Sequence, residues 1–212
     1  MSIFKLLLFV HIVCGSVSLL LGGYVVATKK GGKLHRICGN IYFICMLIAA
    51  IMSLGLSYLH PNYFLFIVGV FTAFMLLSGR RYIRKKYISD VKWFDWLLMW
   101  TMLLFSSGFF GFGGYNLVRG NDFGIVFLAF GAISLLFVAQ DYRNFTGRSK
   151  IVNCWLVTHL QRMIGSYIAS LTAFLVVNNT LLPSTMAWLL PTAVMVPLII
   201  FWSRKNRVVN NS

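Results

Sequence analysis

Nine residues offer chemistry beyond packing: four histidines, four carboxylates and one arginine caught in an apolar run. The histidines are His11, His35, His60 and His159, the acids are Asp90, Asp95, Asp122 and Asp141, and the arginine is Arg162. An ionisable side chain within an apolar span is costly, so each is a candidate for function by default. His11 heads a stripe of small residues at helical spacing, Gly15, Ser18 and Gly22, and so should face protein rather than lipid. His35 shares a helical face with Gly39 and Tyr42, and His159 with Ser166 and Ser170. His60 precedes Pro61 and reads as a turn residue. Asp141 is the acid best placed to pair with Arg162, His159 or Arg80.

Three readings follow. In the leading one, His35, Arg36, Asp141, His159 and Arg162 collect at one end of their spans. They would line a basic, cytoplasm-facing pocket for an anionic small molecule or lipid head group, bound or transported. In the second, the protein holds haem or a metal through His11, His35 or His159. Helical rise puts His11 and His159 about 21 Å apart in depth, whereas two imidazole nitrogens on one iron sit roughly 4 Å apart. In the third, the chain is a structural subunit of a membrane complex, and its polar residues are anchors and packing contacts. No HExxH, GxSxG or P-loop pattern marks a catalytic residue, so enzymatic activity is left open. Cys14, Cys38, Cys45 and Cys154 contain no CxxC and define neither a disulfide framework nor a zinc site.

The elements that must position these residues are plain. Of 212 residues, 59% are hydrophobic and 11% are charged, and mean hydropathy is +0.81. Such a chain is not a soluble domain, a disordered segment or a disulfide-stapled module. Apolar runs long enough to cross a bilayer lie at about 5–28, 37–59, 62–80, 95–118, 123–141, 156–178 and 184–203. Lipid offers no partner to backbone N–H and C=O groups, so these runs must be helices. The expected fold is therefore all-α, a polytopic bundle of seven transmembrane helices in one membrane domain, 1–212. The first run is too long for a cleaved signal peptide and reads as a retained span. Asn178-Asn179-Thr180 turns the chain before the last span, with Pro183 as a breaker, and Pro191 and Pro197 lie within that span.

Of the 19 Lys and Arg residues, sixteen fall in alternate linkers and the C-terminus. Lys5 and Arg119 fall on the opposite side, and Arg162 in a span. The positive-inside rule then puts the N-terminus outside and the C-terminus in the cytoplasm. The same topology accounts for the pI near 10.1 through anionic lipid heads, without a nucleic-acid partner. The expected location is the cytoplasmic membrane. Arg36-x-x-Gly39 and Arg162-x-x-Gly165 open the second and sixth runs, as parallel repeats of three helices would.

His11-x-x-x-Gly15, followed by Lys29-Lys30-Gly31-Gly32-Lys33-Leu34-His35-Arg36-x-x-Gly39-x-x-Tyr42, resembles the predicted bacterial membrane proteins grouped as domain of unknown function 2306. His159-x-x-Arg162-Met163 is similar to the C-terminal half of that family. The resemblance implies a membrane helix bundle, bacterial origin and emphasis on His11, His35, Arg36, His159 and Arg162, with no activity attached.

Overall fold

A computed structural model of the chain describes residues 2–181 and 184–209. Pro183, the expected breaker, lies outside the described residues. Within them the chain forms α1 (Ile3–Ala27), α2 (Lys33–Leu59), α3 (Tyr63–Tyr82), α4 (Trp93–Val118), α5 (Gly124–Phe145), α6 (Cys154–Asn178) and α7 (Ser184–Asn206). A single 3₁₀ turn covers Ile88–Asp90. An isolated antiparallel bridge joins Ile151 to Val209. All seven helices are long and apolar enough to cross a membrane.

The helices overrun the uncharged stretches that define them in the sequence. α2 begins at Lys33, four residues before the uncharged run, and α5 passes Asp141 by a full turn. A charge does not end a helix, because long cationic side chains reach water while their backbone stays helical. Backbone that leaves the helical region does end one. Gly31, Gly120 and Gly147, at φ of 81°, 73° and 72°, lie in the links after α1, α4 and α5. These left-handed values suit a residue without a Cβ. Pro191 and Pro197 both lie inside α7.

α5 and α7 carry cations in their last turns, where the helix dipole favours them. Arg143 occupies the last turn of α5, and Arg204 and Lys205 that of α7. The Lys30 ammonium folds back onto the Val25, Val26 and Thr28 carbonyls at the end of α1.

The chain divides into two compact units. Unit 1 is Met1–Arg80 with Leu160–Lys205, and unit 2 is Arg81–His159 with Asn206–Ser212. Unit 1 is knit where Tyr42, Met46 and Leu76 meet Met163 and Tyr167. The Tyr42 hydroxyl donates to Ser166 Oγ at 2.7 Å, since the Ser166 proton is already given to the Met163 carbonyl. Gly22 lets α1 approach closely there: a Cβ on it would stand 2.4 Å from the Tyr167 ring and 2.9 Å from that of Tyr42. Unit 2 is built on the α4–α5 hairpin. A Cβ on Gly124 would stand 2.5 Å from the Gly113 carbonyl, and the buried Ser106 hydroxyl donates to the Gly131 carbonyl at 2.8 Å.

Candidate functional site

Unit 1 contains a cavity of about 460 Å³ lined by residues of α1, α2, α3 and α6, with Asn62 from the α2–α3 turn. That volume lies in the range of small-molecule sites. Leu8, Leu19, Met46, Leu56, Val68 and Phe174 make most of its wall apolar. No Asp, Glu, Lys or Arg is among the described residues that line it, and His11 is the one ionisable side chain there. The small-residue stripe below His11 therefore has two uses. Gly22 is a close-packing contact, whereas Gly15 opens on the cavity, with nothing within 4 Å of where its Cβ would stand.

His11 is held by a hydrogen bond between Nδ1 and the Ala49 carbonyl oxygen on α2, at 2.9 Å. It faces protein, as its stripe predicts. Around it, the Ser53 hydroxyl donates to the Ala50 carbonyl at 2.7 Å and the Ser170 hydroxyl to the Tyr167 carbonyl at 3.0 Å. Thr72 also lines the cavity, and its buried hydroxyl has no hydrogen-bond partner among the described residues. Ser170 was legible only as a member of the His159 face, and Ser53 and Thr72 carried no signal of their own in the chain.

The residues expected to bind an anion distribute between the units. Unit 1 carries His35, Arg36 and Arg162, and unit 2 carries Asp141 and His159. Arg36 is exposed, and its Nε donates to the Gly31 carbonyl at 3.2 Å. His35 lies beside Lys30 and the Val25 backbone, and its Nδ1 is buried with no hydrogen-bond partner among the described residues. Burial lowers the affinity of the Lys30 ammonium for its proton. Two cations of this corner are thus engaged with backbone carbonyls.

Arg162 lies well inside α6, about 12 Å along the helix from Cys154. It is fully buried at 0% exposure. Its guanidinium stands 5.0 Å from the centre of the Phe74 ring, and its Cβ is 2.9 Å from where a Cβ on Gly79 would lie.

In unit 2, Asp141 is 1% exposed and accepts a hydrogen bond from the Tyr82 hydroxyl at 2.8 Å. Asn144 extends the network, donating to Tyr82 Oη and to Thr158 Oγ1. A denser knot, unexpected from the sequence, surrounds Asp95, which is 2% exposed. Its carboxylate accepts two hydrogen bonds from Arg81 at 2.9 and 2.8 Å and one from the Lys92 backbone N–H at 2.9 Å. It also pairs with Lys85 Nζ at 2.7 Å. Four donors satisfy its acceptor capacity. Lys85 lies over the rings of Tyr82 and Phe145. Burial pushes its pKa down, opposed by the Asp95 charge. The local signal was Lys92-x-x-Asp95, an acid three residues past a helix start.

Among the described residues, no three His, Cys, Asp or Glu side chains gather where they could hold a metal ion. The cavity wall offers one imidazole, so a haem with two histidine ligands would find only one of them there. The chain matches no protein-family model, no curated protein and no solved structure.

Proposed function

We propose that the chain is a multi-pass integral membrane protein that binds a neutral, mainly apolar small molecule in the cavity of unit 1. The supporting observation is the cavity itself: about 460 Å³, apolar, uncharged and lined by helices long enough to lie in lipid. A charged ligand would be left there without a counter-charge, at a cost of several kcal/mol. The anionic partner proposed from the sequence then belongs to the exposed cations at the start of α2, Lys33 and Arg36, as lipid-head anchors. The cytoplasmic membrane and the resemblance to domain of unknown function 2306 belong to the same proposal.

Gly15 gives a clean test, because it lines the cavity and a Cβ added there meets nothing within 4 Å. The full chain should be purified in detergent and its bound small molecules quantified by mass spectrometry. A stoichiometric apolar compound is expected in the wild type, and Gly15→Leu should lose it while keeping its thermal unfolding midpoint. Equal loading in both proteins, or none in the wild type, contradicts the proposal.

A further inference from the structure

The hydrogen bonds already made in the cavity dictate what its ligand must bring. A carbonyl oxygen only accepts, so the contact from His11 to Ala49 puts the proton on Nδ1. In the neutral ring, Nε2 then carries a lone pair. Nε2 has no hydrogen-bond partner among the described residues and is not among the buried atoms lacking one. The Ser53 and Ser170 hydroxyl protons are committed to carbonyls of their own helices. Each of those oxygens is left as an acceptor, and both residues line the cavity. Asn178, exposed at the end of α6, gives one amide N–H to Phe174 and keeps both its oxygen and its second N–H.

Donors on the wall are few. The Thr72 hydroxyl is sealed from open space. Asn62 gives its oxygen to the Leu65 N–H and keeps its amide N–H groups, at the turn between α2 and α3. Ser16 is exposed and can serve either way.

We infer that the ligand carries a hydroxyl or N–H donor on its apolar body, and that His11 Nε2 accepts it. An alcohol, phenol or hydroquinone fits this wall. A carboxylate, a phosphate or a simple ketone brings acceptors to acceptors, and no cation on the wall compensates. This inference rests on the cavity being a binding site, and the test separates the two.

The probes are 1-dodecanol and its methyl ether, which differ in the donor and little in apolar surface. Their affinities for the full-length protein in detergent would be measured by native mass spectrometry. The alcohol should bind the wild type about tenfold more tightly, the worth of one net hydrogen bond of about 1.4 kcal/mol. In His11→Phe the preference should vanish because the alcohol weakens, with the ether unchanged. His11→Gln, which restores an acceptor, should recover part of the preference. Equal affinities in the wild type, or a preference for the ether, overturn the donor assignment but leave the cavity reading intact. If neither probe binds, the cavity reading itself fails. The wild-type comparison needs no variant, so a misfolded His11→Phe cannot shield the inference.

Discussion

Single side chains in this protein are governed by whether their polar atoms find partners away from water. Asp95 shows the favourable extreme, with Arg81, Lys85 and the Lys92 N–H converging on one buried carboxylate. Breaking a buried ion pair from one side leaves the other charge stranded, which costs about 3–5 kcal/mol. Asp95→Asn should therefore lower the unfolding midpoint of the detergent-solubilised protein sharply. Asp90→Asn, at a half-buried carboxylate in the preceding link that accepts only the Lys86 and Tyr87 N–H groups among the described residues, should move it far less. Equal effects would show that the knot around Asp95 contributes no more than the Asp90 carboxylate does. The histidines were legible as candidates from their types and spacing. Which nitrogen of His11 is committed was not, because Ala49 lies 38 positions away in the chain.

At the scale of helices, glycine marks where backbones touch only in some places. Gly108, Gly111, Gly113 and Gly114 crowd the C-terminal half of α4. The structure separates them. Gly113 meets Leu128 and the Gly124 carbonyl, whereas Gly108, Gly111 and Gly114 have open space at their Cβ positions. A Cβ on Gly124 meets backbone, which cannot rotate aside. Gly124→Ala should thus push α4 and α5 apart at a cost of about 1–3 kcal/mol. Gly114→Ala should be neutral or stabilising by up to about 1 kcal/mol, through helix propensity. Thermal unfolding of the two variants checks this, and a destabilised Gly114→Ala would contradict the open space assigned to it.

At the scale of the whole chain, topology is a prediction carried by charge. Reporter fusions, one active only in the cytoplasm and one only outside, placed at the C-terminus should report a cytoplasmic end. In the Asn121–Asp122 link beside Arg119 they should report an outer loop. The reverse pattern, or both sites on one side, would refute the N-outside arrangement. Sequence by itself determined the helical class, the number of long apolar helices and their approximate bounds. Those follow from local facts: run length, the demand of lipid for satisfied backbone groups, and the alternation of cationic linkers. Exact helix ends followed less well, since they depend on backbone turns at Gly31, Gly120 and Gly147 rather than on charge. Tertiary structure alone decided the rest. It opened the cavity beside Gly15 while closing the stripe at Gly22, buried Arg162 against Phe74, and brought Tyr82 to Asp141 across 59 positions. Helical periodicity says which residues share a face, but not which face of another helix meets it, at what depth, or how tightly. Those choices come from the packing of many side chains at once, and they turn a stripe of small residues into a contact at one glycine and an open space at another.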